Sequence, residues 1–244
     1  GATVGWIPES DVDVTDAPVA PNTQKAICAY GHDGSSIVSM SNLVNSSGVV
    51  ATDVTGVGTA RSALAAASYG TDKAIFAYGE AGSVSSLSNL VNNSGVVATD
   101  VTGVGTARYY LAAAGYGVGL AIFGYGLTTG DVDMTNLVSN VGVVTADVTG
   151  VGTARRYLAA ANYGTDKAIF AYGYVGGSVS MSNLVSNSGV VATDVTGVGT
   201  VRQSLAGVGY GADKAIFAYG NAGGSLSMSN LVNSSGVIAT DVTG

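Results

Sequence analysis

The sequence predicts an all-β protein, and within that class a five-bladed β-propeller with four antiparallel strands in each blade of about 47 residues. Three observations lead there. The chain holds a five-fold internal repeat. Its apolar runs have strand length and are punctuated by glycine turns. A unit of this size buries its faces only against neighbours of its own kind. Lys-Ala-Ile-Phe-Ala-Tyr-Gly stands at residues 73–79, 167–173 and 214–220, with close variants at 25–31 and 120–126. Their starts are 48, 47, 47 and 47 residues apart. Ser/Thr-Asn-Leu-Val follows in each copy, with Asn42, Asn89, Asn136, Asn183 and Asn230. Asp-Val-Thr-Gly comes next, with Asp53, Asp100, Asp147, Asp194 and Asp241.

Residues 57–103 show the unit most clearly. Val57-Gly58-Thr59-Ala60-Arg61 reads as a turn, and residues 62–67 as an apolar first strand. Residues 73–78 form the second strand, rich in aromatic and β-branched side chains and closed by Gly79. A glycine-containing loop, 79–82, leads into a third strand-like run at 84–91. Asn92-Asn93-Ser94-Gly95 is a strong turn signal, and 96–101 gives a fourth run ended by Thr102-Gly103. The stretches 61–67, 108–114 and 155–161 are alanine-rich, and alanine is the best helix former. Glycines and turn residues hold each to about two turns, below the ~12 residues at which isolated helices become marginal. Small side chains also suit a strand at the crowded centre of a radial array, so the expectation is strand. Radial closure leaves only short, protected edges, which favours a propeller.

The units register as 10–56, 57–103, 104–150, 151–197 and 198–244, one propeller domain from 10 to 244. A non-repeat leader, residues 1–9, holds the only tryptophan, Trp6. The first unit lacks the Arg and the Leu-Ala-Ala-Ala run; Ala17-Pro18-Val19-Ala20-Pro21 stands there, an irregular or edge strand. The leader is expected to brace the junction of first and last blades or to anchor the propeller to a partner. The chain stops at the end of a repeat, as one piece of a longer protein would.

Composition narrows the function. Forty-seven per cent of residues are apolar and only 10 % are charged, against about a quarter in a usual soluble domain. A net charge of −7 and a pI near 4.3 leave no basic stripe to neutralise phosphates, which argues against nucleic acid and anionic membrane surfaces. No apolar run approaches the roughly 18–20 residues of a transmembrane helix, so no membrane insertion is expected. One cysteine makes no internal disulfide, and Cys28, in a slot that holds Phe in the other copies, reads as a buried apolar substitute.

The conspicuous polar residues read mainly as scaffold. The five repeated aspartates occupy equivalent positions, far apart in a propeller, and suit local capping of backbone N–H groups better than a metal site. Arg61, Arg108, Arg155 and Arg202 suit pairing with backbone carbonyls or a neighbouring blade's Asp. Asp11-x-Asp13-x-x-Asp16 lacks the Gly and Glu of a calcium loop. His32 is the sole histidine, which removes zinc clusters, and it reads as a solvent-facing turn residue beside Asp33. Gly-Val-Gly-Thr-Ala-Arg precedes no helix and is a turn, not a phosphate loop. Unlike acids converging from different blades, the mark of a glycosidase, are lacking. No catalytic residue, metal or cofactor is assigned.

The copies differ chiefly in two places. After each Arg stand Ser62-Ala63, Tyr109-Tyr110, Arg156-Tyr157 and Gln203-Ser204. After each Tyr-Gly stand His32-Asp33, Glu80-Ala81, Leu127-Thr128-Thr129, Tyr174-Val175 and Asn221-Ala222. With strands antiparallel in chain order, both places open on one face, rich in tyrosine. Loops on a rigid scaffold commonly carry recognition, and Tyr offers contact area with a polar handle. Tyr109, Tyr110, Arg156, Tyr157, Tyr174 and Gln203 are the candidate ligand-binding residues. Neutral drift of solvent-facing loops is the competing explanation.

The Arg, the Leu-Ala-Ala-Ala run and Tyr-Gly-x-x-Lys-Ala-Ile-Phe-Ala-Tyr-Gly resemble the kelch-type propeller repeat across residues 10–244. The kelch Gly-Gly doublet is reduced to Tyr-Gly and its outer-strand Trp is missing. More narrowly, the near-identical Gly/Ala/Thr-rich copies resemble kelch-like repeats in virion appendage and tail-fibre proteins of bacteriophages, especially marine ones. That resemblance implies a virion or extracellular location and a non-enzymatic recognition module. Its partners would be a host-surface glycan or protein receptor, and other virion or fibre proteins through residues 1–9. A purely structural assembly component is the alternative, and a carbohydrate-active enzyme the third class.

Overall fold

The computed structural model describes residues 26–243. The leader, the two prolines of the first unit and the Asp11–Asp13–Asp16 triplet lie outside the described residues. The described chain is all-β, without helices, and places 14 strands in five small antiparallel sheets. The first unit contributes β1 (Ala26–His32) and β2 (Ile37–Val44). The later units contribute β3 (Ala65–Tyr69), β4 (Lys73–Ala77) and β5 (Ser88–Val91), then β6 (Ala112–Tyr116), β7 (Leu120–Gly124) and β8 (Thr135–Val138). They continue with β9 (Ala159–Tyr163), β10 (Lys167–Tyr174) and β11 (Ser178–Val185), and end with β12 (Ala206–Tyr210), β13 (Lys214–Ala218) and β14 (Ser229–Val232). In each complete sheet the middle strand is the Lys-Ala-Ile-Phe segment or its variant, paired in register on both sides. The alanine-rich stretches are strands: β-pairing to the middle strand satisfies their backbone where two helical turns would not.

The fourth run departs from expectation. In place of a continuous strand, 96–101 touches β5 at two separate bridges, Val91↔Val97 and Ser88↔Val101. Three residue steps on β5 face four on the run, so one residue bulges out. Asn89 fills the bulge, its Nδ2 donating to the Ala98 carbonyl at 3.0 Å and to Asp100 Oδ1 at 2.9 Å.

Successive sheets stack through one repeated interface. The first strands β3, β6, β9 and β12 pack side by side, and β3, β6 and β9 each also touch the following unit's second strand. Backbone N–H groups tie both ends of these strands to their neighbours. Tyr110 donates to the Ala63 carbonyl, Tyr157 to that of Tyr110 and Ser204 to that of Tyr157; at the other end Gly70 donates to that of Gly119. Alternate residues take opposite sides. Ala67 and Tyr69 cluster with Leu111, Phe123 and Val138 of the next unit, whereas a side chain at Gly209 would strike Asn162 of the preceding one. Among the described residues no comparable packing joins the fifth sheet to the first.

The tyrosine of Tyr-Gly is the centre of each interface. It sits where the middle strand's pairing slips, between Ala171 and Gly173 in β10, and takes a left-handed backbone in every unit, φ 63° at Tyr125 and 62° at Tyr172. Such a backbone costs an L-residue roughly 1–2 kcal/mol. Contacts with the next unit offset that cost. The Tyr125 hydroxyl donates to the Val151 carbonyl at 3.0 Å, Phe170 meets its ring edge-on at 5.1 Å, and the Arg155 guanidinium lies 4.3 Å above the ring. Burial pushes the Tyr78 and Tyr125 phenols up to about 12 against the lowering charge of Arg108 and Arg155, so both stay neutral donors.

Each of these arginines is fully buried and closes its own unit. Arg108 donates through Nε to the Tyr125 carbonyl at 2.9 Å, through Nη1 to that of Thr106 at 3.1 Å and through Nη2 to Asn136 Oδ1 at 2.7 Å. Asp147 completes the set, 3.9 Å from Nη1. It accepts from the backbone N–H and hydroxyl of Thr106, 41 residues earlier, and from Asn136 Nδ2. Asp100, Asp147, Asp194 and Asp241 therefore join the two ends of one unit, where the sequence suggested a local cap. Arg108, Arg155 and Arg202 donate to backbone carbonyls as expected, but the Asp each repeat arginine faces belongs to its own unit, not to a neighbour. Gly105, φ +74°, is required here, because a Cβ would collide with the Asp147 carboxylate and the Asn136 amide.

Removing one guanidinium strands its buried partners. Arg155→Ala is expected to cost about 2–3 kcal/mol in chemical denaturation, because the Tyr172 and Thr153 carbonyls lose their donors and the Tyr125 ring its cation. The carboxylates set an acid limit. Burial works to raise Asp147, but hydrogen bonds from Thr106 and Asn136 and the Arg108 charge hold it below its ordinary 3.8; Asp100, Asp194 and Asp241 behave alike. A depressed folded value supplies stability above the unfolded value that is lost as pH falls through the folded one. The melting temperature should therefore drop below about pH 4, and Asp147→Asn should flatten that drop.

Candidate functional site

The two variable places of each of the last four units meet through the backbone. Isolated bridges join Ser62 to Glu80, Tyr109 to Leu127, Arg156 to Tyr174 and Gln203 to Asn221. The residue after each of these first partners is the one tied to the neighbouring unit, so the variable pairs form two parallel rows, 62–109–156–203 and 63–110–157–204. The inner row is left-handed throughout, φ 55° at both Tyr110 and Tyr157. That backbone belongs to the scaffold, since Ala63 and Ser204 share it at 51°.

Five of the six candidate residues form one cluster. The ring centres of Tyr109 and Tyr110 are 4.5 Å apart, and those of Tyr110 and Tyr157 4.2 Å. Arg156 lies 5.5 Å from the centre of Tyr157 and 4.8 Å from that of Tyr174. All five are half-buried, held by their neighbours yet open to solvent. Tyr157 chiefly, then burial and the nearby Tyr109 and Glu80, raise the Tyr110 phenol above its ordinary value. Gln203 stands one unit further along the outer row, and no contact sets its side chain against the tyrosines; its buried amide oxygen has no partner.

Sequence reasoning missed Asp131. Its Oδ1 accepts from Arg156 Nη1 at 2.7 Å, with 16 % of the aspartate side chain and 24 % of the arginine's exposed. Asp131 lies in the variable loop of the preceding unit, bridged to Leu127. Its departure from the repeat was visible in the sequence; its reach to the next unit's Arg required the stacking. The pair compensates the charge of a guanidinium that lies close to two tyrosine rings.

Other polar candidates stay outside this face. Cys28 is exposed, which corrects its reading as a buried substitute. Phe123, Phe170 and Phe217 are buried because each meets the tyrosine of a preceding unit; Cys28 belongs to the first. His32 is exposed as expected, but ends β1 and accepts a hydrogen bond from Gly34 N–H at Nδ1. Among the described residues no three His, Cys, Asp or Glu gather to hold a metal.

The strain at the inner row gives a test that separates scaffold from site. Tyr110→Gly should keep stability within about 1 kcal/mol of the parent by chemical denaturation, because relief of the left-handed backbone offsets lost ring packing, while Tyr110→Ala should be the less stable of the two. Neither a protein-family model nor a curated protein matches this chain.

Proposed function

We propose that the five sheets are blades of a kelch-like β-propeller and that the protein is a non-enzymatic recognition module of a virion appendage, tail fibre or other extracellular fibre. Its ligand is a host-surface glycan or protein receptor. The blade reading is supported by sheets that stack through their first strands, each led by a buried arginine. The functional reading rests on a single observation. Tyr109, Tyr110, Tyr157 and Tyr174, with Arg156 held by Asp131, make one solvent-facing aromatic cluster on a scaffold that is otherwise near-uniform from unit to unit. Tyrosine rings give rigid apolar faces for the C–H side of a sugar, and their hydroxyls give polar edges for its hydroxyls.

A glycan array and a cell-binding assay test this directly. The parent should bind a defined subset of glycans or cells, and the Tyr109→Ala/Tyr157→Ala double variant should lose that binding while keeping its fold by circular dichroism. Equal binding by parent and variant rejects the face. A purely structural role in an assembly is the second reading, favoured by the open apolar side of the fifth sheet.

A further inference from the structure

The interface between units occurs four times with the same parts, and its receiving half occurs a fifth time, uncovered by any described residue. Tyr78, Tyr125 and Tyr172 are fully buried beneath the next unit, and Tyr30 nearly so. Tyr219, in the same slot and with the same left-handed backbone, is 62 % exposed. The side of β12 that faces away from the fourth unit repeats the contrast. Val208 is 59 % and Tyr210 40 % exposed, where the corresponding Ala161 and Tyr163 are buried against the fifth unit. Leu231 is also exposed, whereas Leu184 packs beneath the turn at Gly236. These side chains form one apolar patch of the kind that marks an interaction surface.

We propose that this face docks a further arginine-led unit of the same repeat, lying outside residues 1–244. Continuity with the four existing interfaces specifies its chemistry. A guanidinium lies over the Tyr219 ring, as Arg202 lies 4.0 Å over Tyr172. A backbone carbonyl accepts the Tyr219 hydroxyl, as that of Val198 accepts Tyr172. A Phe meets the ring edge, as Phe217 does at 5.8 Å. Small residues oppose Val208, as Gly207 and Gly209 oppose the fourth unit, where a Cβ would strike Ala160 and Asn162. A glycine turn covers Leu231 and Tyr210, as Gly236 covers Leu184 and Tyr163. Residues 1–24 contain no arginine or lysine, and the first unit contains no arginine, so neither supplies the guanidinium that the other sockets hold. A second copy offers no repeat arginine without unmaking itself, because all four are already buried against Tyr30, Tyr78, Tyr125 and Tyr172, and its Arg156 is held by Asp131. The inference is independent of ligand binding at the tyrosine cluster.

The test compares residues 1–244 with the same chain extended by a second copy of residues 198–244. Tetranitromethane nitration is followed by mass spectrometry at each tyrosine. Tyr219 should react readily in the parent and fall to the low rate of Tyr172 in the extended chain. The extended chain whose added unit carries the change corresponding to Arg202→Ala should return most of the reactivity. In the parent, Tyr219→Ala should leave the melting temperature unchanged while Tyr172→Ala lowers it. Four results overturn the proposal. Tyr219 is already protected in the monomeric parent, which would assign the face to residues 1–25. Its protection appears only with concentration-dependent dimers, which would assign it to a second copy. Extension leaves it reactive. Or Tyr219→Ala destabilises the parent as much as Tyr172→Ala.

Discussion

One buried cation per interface organises this molecule. A guanidinium removed from water is stable only if its donors are met and its charge is balanced. Each one lies over the tyrosine ring of the preceding unit and within 4.0 Å of its own unit's Asp. At Arg108 the edges are also taken by Asn136 and by the Thr106 and Tyr125 carbonyls. The same side chain therefore folds the unit and joins it to the last one. Unit closure and stacking cannot be separated, and neither can be weakened without the other.

This coupling explains why the other end of the fold is free to vary. The backbone ties at Ala63, Tyr110, Tyr157 and Ser204 hold the inner row in place whatever side chain it carries. Two adjacent units have used that freedom for aromatic residues, and a loop acid and a loop tyrosine have grown around them. The cluster is thus an addition to a frame that does not depend on it.

Much of this was legible in the sequence, and the gaps have physical causes. The repeat marked the units, and the alternation of strand runs with glycine turns placed three of the four strands. Antiparallel order alone brought Tyr109, Tyr110, Arg156, Tyr157 and Tyr174 to one side. Asp147 and Thr106 are 41 residues apart and neither belongs to a motif of known geometry, so their bond could not be foreseen. The bulge at Asn89 broke the fourth strand through a side-chain insertion that no periodicity records. Tyr-Gly looked like a strand end; its tyrosine is the socket for the next unit, visible only once units are stacked. Cys28 was misplaced for the same reason, since the environment of that slot is set by the preceding neighbour.

The single extra residue of the first repeat shows how such a chain can change length. The step from Lys25 to Lys73 is 48 residues, yet Asn42 to Asn89 is 47, so the addition lies between Lys25 and Asn42. The register of β1 on β2 is intact from Ala26 to Ala29, which leaves the surplus at the loop that joins them. Lengthening a surface loop costs little closure entropy, and a residue added at a loop such as 127–130 leaves the bond between Thr106 and Asp147 in place, because both ends of the unit stay where the sheet holds them. Evolution of this protein thus has two permitted increments: residues added one at a time where the variable loops open, and whole units of 47 elsewhere.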